Sequence, residues 1–363
     1  MPEQQSNVNW YRGFHRFLLS TPEFKEFSGM FGGEQVLQAK NMDLLKLQRL
    51  AIGFLHYRLD FDGRQRFFKA IASYAAQCGA AVPDLDKDDH KPLDTLNREG
   101  WAQLADIDQK TVDGLLAHFK NNPLLPWGKR AKEQYASAAD LRTKTNVASV
   151  PDEFLSGRRD VLALGLSSDV LSIAAHHLQA PPILLGVTAW TSFASKDGAT
   201  RPAVEAQKFH FDLDDYRFVK QFIYLTDVDD GSGPHEYIPK SHLPDTILAA
   251  RDNCVNKGIL SEDEFNEWYF RALRKDDSDV KSYLGIDPIA ITGKAGSRLM
   301  VNTEGIHKGR VPIVKDRWIV QFLYGVSAHV QIDDKDGLFF SKADFLNLKS
   351  ELSGYSGQFL NII

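Results

Sequence analysis

Six short runs between residues 182 and 327 constrain this chain more than any other feature. "PILLGVTAWTSF", "QKFHFDLD", "RFVKQFIYLTDV" and "HEYIPKS" follow one another, and "GSRLMVNTEG" and "DRWIVQFLYGVS" come later. Each is apolar or alternating and is bounded by turn residues, and such runs read as strands. Their spacing is that of an antiparallel sandwich or barrel. Between the fourth and fifth runs lies helix-like text, "LPDTILAARDNC" and "SEDEFNEWYFRALRK". It predicts a helical insertion over residues 243–290.

The text before these runs has a different period. "MDLLKLQRLAIGFLHYRL" and "RQRFFKAIASYAAQ" place apolar residues at three- and four-residue intervals, which predicts amphipathic helices. "CGAAVPDLDKDDHKP" then mixes Gly, Pro and charge like a linker or long surface loop. From about Leu93 the chain predicts a strand at "GWAQLAD", a capped helix at "DQKTVDGLLAHFKNN" and a helix at "SSDVLSIAAHHLQ". The expected plan is α+β: a helical N-terminal extension over 1–90, then a β domain decorated by helices over 91–363.

Composition narrows the partners. With 363 residues, 43% hydrophobic and 25% charged, the chain can bury a substantial core. A formal net charge of −5 supplies no basic excess to displace counterions from a nucleic-acid backbone. Two cysteines make no disulfide framework, so a reducing compartment is the simple reading. The polar N-terminus lacks a signal-peptide core, and the run "APPILLGVTAW" is too short to cross a bilayer. The expectation is a cytoplasmic protein with no membrane span and a small-molecule substrate.

The chemistry is carried by "KFHFDLDDYRF". On a strand, residues two apart share a face, so His210 and Asp212 offer an imidazole and a carboxylate together. One more histidine would complete a 2-His-1-carboxylate triad, which suits Fe(II) and leaves open positions. His307, in "NTEGIHKGRVP", is the candidate. Arg317, at the start of the last strand, is placed to hold the far carboxylate of a 2-oxo diacid whose other end chelates the metal. Lys220 and Tyr224 share a strand face with Phe222, and either could reach that cosubstrate; a lysine with a merely buried stem is the equal alternative. Gln207 and Gln321 stand in the same position.

With these residues in place, the chain resembles the phytanoyl-CoA dioxygenase family of Fe(II)/2-oxoglutarate oxygenases, in particular its bacterial members. The resemblance runs from Leu93 to Ser327. It rests on "EAQKFHFDLDDYRFVKQFIYLTDVDDGSGPHEYIPKSH" and "ITGKAGSRLMVNTEGIHKGRVPIVKDRWIVQFLYG". It implies a double-stranded β-helix (a jelly-roll, cupin-like core), iron on His210, Asp212 and His307, and 2-oxoglutarate on Arg317. It further implies that O2 and 2-oxoglutarate are consumed, with release of succinate and CO2, to oxidise a C–H bond. Related halogenases vacate the carboxylate position, so Asp212 favours hydroxylation. The family's usual Pro-Gly-Ser-His reads Pro239-Lys-Ser-His242 here, and Arg310 is a second candidate for the cosubstrate. The alternatives are a cupin-type metal protein that does not use 2-oxoglutarate and a non-catalytic binding module. His235 and His242 fall in a turn-like segment and read as turn or supporting residues. His176 and His177 end a helix and read as packing. Asp227, Asp229 and Asp230 read as a solvated turn.

Overall fold

The computed structural model describes residues 14, 17–30, 44–78, 82, 84–129, 132–155, 158–194 and 202–327. Parts of the expected helical extension, residues 195–200 beside the predicted strand, and everything after 327 lie outside them. Among the described residues ten strands form two antiparallel sheets. They are β1 (Trp101–Leu104), β2 (Leu125–Pro126), β3 (Val147–Ser149), β4 (Ile183–Ser192), β5 (Phe218–Tyr224), β6 (His235–Tyr237), β7 (Ile289–Ile291), β8 (Arg298–Val301), β9 (His307–Gly309) and β10 (Arg317–Gly325). The larger sheet runs β1-β8-β5-β10-β4-β3-β2 and the smaller one β7-β6-β9. Isolated bridges from Phe209 to Lys275 and from His210 to His307 extend the smaller sheet past β9.

Alternation along β5 and β10 explains how the sheets pack. Phe222 and Tyr224 of β5 and Ile319 of β10 join Leu299, Val301, Tyr237 and Ile291 in a cluster between the two sheets. The intervening residues Val219, Ile223, Val320, Phe322 and Tyr324 face a larger cluster lined by helices. Each fully buried apolar side chain contributes roughly 1.5–3 kcal/mol. A one-residue slip would exchange the two faces and lose both clusters, so the register is firmly specified.

Most of the expected helices form. Asp108 caps Gln109–Asn121 by accepting from the Thr111 amide, and Ser261 with Glu264 makes a capping box on Glu262–Arg271. Two expectations need correction. "QKFHFDLD" is not a regular strand: only Phe209 and His210 pair, by isolated bridges, before the chain turns away. The expected linker already holds a 3₁₀ turn, Lys87–Asp89, and the first residues of a helix, His90–Glu99. Pro92 is tolerated in that helix because the first turn has no intrahelical N–H partner to lose. Lys240 adopts φ 64°, the left-handed conformation that a glycine would take without strain. It is the residue that stands where the resembled turn has glycine.

The N-terminal helices share one core with the β region. Phe14, Phe24 and Phe67 surround the fully buried Tyr216, with ring centroids 5.6, 6.3 and 6.1 Å away. Gln48 donates to the Ser327 hydroxyl at 2.8 Å, and His56 Nε2 lies 3.4 Å from the Asp215 carbonyl. The Asp215 carboxylate accepts from the Val326 and Ser327 amides and so fastens the end of β10. The 243–290 insertion is helical as expected, with Pro244–Asn256 and Glu262–Arg271 packed around Phe265 and Tyr269. Among the described residues no single helix is long and apolar enough to cross a membrane.

Candidate metal centre

His210 and His307 meet because their backbones pair. Each amide donates to the other's carbonyl, at 2.9 and 2.8 Å, and the Asp212 amide donates to Thr303 at 2.8 Å. The side chains then converge. His210 Nε2 lies 3.5 Å from Asp212 Oδ1, and His307 Nε2 lies 3.4 Å from Asp212 Oδ2. One ligand atom from each of the three residues falls within 4.8 Å of the others. Metal–imidazole bonds of about 2.1 Å would put adjacent octahedral ligands roughly 3 Å apart. The two histidine–carboxylate separations, 3.5 and 3.4 Å, are within about half an ångström of that spacing.

Tautomer is fixed by the backbone. His210 Nδ1 is 2.8 Å from the Lys208 carbonyl and His307 Nδ1 is 2.9 Å from the Gly305 carbonyl. A carbonyl only accepts, so both Nδ1 atoms carry the proton and both Nε2 lone pairs are free to ligate. Burial, then the neighbouring His307 imidazole, lowers the His210 pKa to about 3 against the opposing pull of Asp212. Burial alone would raise Asp212, but Lys220 and the two histidines outweigh it and hold the carboxyl well below its ordinary range. The set offers two Nε2 atoms and one carboxylate to a metal.

Lys220, expected as a possible cosubstrate contact, is turned toward carboxylates. Its Nζ lies 2.6 Å from Asp212 Oδ2 and 2.7 Å from Asp214 Oδ2. Burial lowers its pKa, and the two acids more than reverse that. A buried ammonium costs several kcal/mol without partners, so a lysine with two carboxylates in reach stays with them. Tyr224 donates to the Ile291 carbonyl at 2.8 Å and receives the His235 amide at 3.3 Å. Burial raises its pKa to about 12, with Arg317 pulling the other way. Gln207 Oε1 receives Asn146 Nδ2 at 3.0 Å and the Val204 amide at 3.2 Å, so it anchors a loop. Gln321 lies half-buried on the inner face of β10, opposite Phe222 and Thr188.

Arg317 is the anomaly of the site. It is 3% exposed, yet Nε and Nη1 have no hydrogen-bond partner, and Nη2 reaches only the Ser192 hydroxyl at 3.3 Å. Burial lowers its pKa to about 10, with Tyr224 opposing. Leaving a buried guanidinium uncompensated costs several kcal/mol, so this arrangement calls for an anion. Space for one exists because residue 309 is glycine: a Cβ there would sit 2.7 Å from Arg317 Nη2. Arg310, the other candidate, is committed elsewhere, to Glu236 and at 3.0 Å to Asp230.

Three residues gain roles that sequence reasoning did not give them. His235 stands on β6 with its ring stacked on His307, at 5.3 Å and 6°. Lys275 pairs its backbone with Phe209 and sets its Nζ over the rings of Phe211, Trp268 and Tyr269 at 4.9, 5.3 and 5.7 Å. Burial, then Arg274, lowers its pKa to about 7. Glu304 lines a cavity of about 40 Å³ behind the metal loop, together with Arg64, Phe211, His242 and Tyr269. Its Oε1 is buried without a partner. Burial raises its pKa from 4.5 to about 7, against Arg217 and Arg64.

A raised carboxyl pKa means that folding favours the protonated form. Its contribution is present below the unfolded pKa and is lost as pH rises through about 7. The shift corresponds to roughly 3 kcal/mol. Glu304→Gln is therefore expected to match the parent in stability near pH 4 and to exceed it by up to about 3 kcal/mol at pH 8. Urea unfolding of both proteins at the two pH values checks this, and a pH-independent difference would refute it.

No protein-family model matches the chain, and no curated protein matches it. Solved structures do. An alpha-ketoglutarate-dependent non-heme epimerase, SnoN from nogalamycin biosynthesis, is 16% identical over 66% of this chain and 83% of its own, with a TM-score of 0.44. The carbocyclase SnoK from the same biosynthesis is 15% identical over 66% and 84%, with a TM-score of 0.41. HygX from Streptomyces hygroscopicus, solved with nickel and 2-oxoglutarate, is 13% identical over 65% and 86%, with a TM-score of 0.39.

Proposed function

We propose that this chain is an Fe(II)/2-oxoglutarate-dependent dioxygenase of the phytanoyl-CoA dioxygenase type that hydroxylates a small-molecule substrate. The observation that carries the reading is the buried guanidinium of Arg317, with Nε and Nη1 unpartnered, on the same inner face as a preset His210-Asp212-His307 triad. A metal alone would explain the triad, and only a chelating diacid explains the arginine as well. Strand order supports a double-stranded β-helix: β4-β10-β5-β8 forms one wall, and the 209–210 segment, β9, β6 and β7 form the other.

In this reading His210 and His307 ligate through Nε2, and Asp212 supplies the one negative charge. Bound iron and 2-oxoglutarate together supply the oxidation of a C–H bond by O2, with succinate and CO2 as co-products. Lys220 holds the carboxylate that it shares with the metal and so fixes Asp212 in place. Arg317 binds the far carboxylate and sets the direction of the cosubstrate. Thr188, Trp190, Gln321 and Leu323, half-buried on the inner faces of β4 and β10, form the floor on which substrate rests.

The test is succinate formation by the full chain supplied with Fe(II), 2-oxoglutarate and O2, first alone and then with a metabolite panel. Succinate above the metal-free control is the expected result. Metal binding without 2-oxoglutarate binding or turnover would favour the cupin-type alternative. Neither metal nor succinate would favour a binding module.

A further inference from the structure

His235 is buried, and its Nε2 has no hydrogen-bond partner. It pairs across β6–β9 with Gly309, the position without a side chain in front of Arg317. Directly opposite residues of an antiparallel pair share a face, so His235 projects into the space beside that glycine. Its ring stacks on the His307 ring and lies 5.1 Å from Phe222 of the facing sheet. Its amide donates to Tyr224, the residue whose hydroxyl interacts with Arg317. His235 thus stands between His307 and Arg317, whose Nε and Nη1 are unsatisfied.

On the reading proposed above, we infer that His235 is a further cosubstrate-binding residue, its Nε2–H donating a hydrogen bond to the 2-oxo diacid that spans the metal and Arg317. The three buried nitrogens without partners, Arg317 Nε and Nη1 and His235 Nε2, then serve one ligand.

The experiment is a calorimetric titration of 2-oxoglutarate into the Mn(II)-loaded full chain, for the parent, His235→Leu and His235→Asn. Mn(II) affinity and far-ultraviolet dichroism are measured on each. A hydrogen bond to a charged group lost from a buried site predicts a roughly 10- to 100-fold weaker 2-oxoglutarate affinity in His235→Leu. Mn(II) affinity is expected to stay within about threefold, and His235→Asn, which keeps an N–H donor, to recover most of the loss. Parent-like 2-oxoglutarate binding in His235→Leu overturns the inference. So does a parallel loss of Mn(II) affinity or fold, because the residue would then only support His307. A parent that binds Mn(II) but no 2-oxoglutarate refutes the oxygenase reading itself, a result distinct from either.

Discussion

Arg317→Met is expected to weaken 2-oxoglutarate binding by at least about 30-fold, in line with the roughly 2–5 kcal/mol lost when one partner of a buried, hydrogen-bonded charge pair is truncated. Metal affinity should be nearly unchanged, because no ligand atom is touched. The same substitution is expected to stabilise the ligand-free protein by about 1–3 kcal/mol, because it removes a desolvated charge with two unsatisfied nitrogens. Loss of binding joined to a gain in stability is the signature of a residue kept for its ligand rather than for the fold. Calorimetry with 2-oxoglutarate and urea unfolding read the two effects. Parent-like affinity for 2-oxoglutarate would remove the cosubstrate from the proposal.

Asp212→Ala should be the more damaging change for the metal. It removes the only negative ligand, leaves two neutral imidazoles, and strips Lys220 of one of its two carboxylates. Supporting contacts of metal sites alone are worth 10–100-fold in affinity, so loss of a direct ligand should exceed about 100-fold. His307→Ala should behave alike. Metal content after dialysis against a weak chelator measures both. A variant that retained a full equivalent of metal would place the centre elsewhere.

The grouping of the candidate ligands was legible where chemistry and local period coincide. His210 and Asp212 stand two apart in an extended segment, and that parity survives although only isolated bridges hold the segment. Arg317 was readable from its place at the head of a strand. Lys220 shows where this kind of reading stops. Parity put it on the inner face of β5 with Phe222 and Tyr224, but its partners depend on how the 211–217 segment folds back, and that segment is not local to the strand. His235 was hidden for another reason. Its run was legible as a strand, but Gly231, Gly233 and Pro234 before it and Pro239 after it made the histidine read as a turn or supporting residue. Lys275 could not be found at all, because it lies inside the insertion and pairs with Phe209, 66 residues earlier (275 − 209). The short strands β2, β3, β7 and β9 were likewise too brief to show a period. The helix His90–Glu99 was obscured by charge and Pro92, although Gly100, left-handed at φ 89°, marks its end.

The aromatic packing around Tyr216 bears on how this protein can be handled. Tyr216 is two residues beyond Asp214, which holds Lys220, and one beyond Asp215, which clasps the close of β10. Phe14, Phe24 and Phe67 therefore brace, from the far side of the chain, the peptide that follows the candidate metal-binding carboxylate of Asp212. A fragment begun near residue 90 would shed that bracing and bare a greasy scar in its place, so the leading helices belong to the same packed core rather than being an attachment to it.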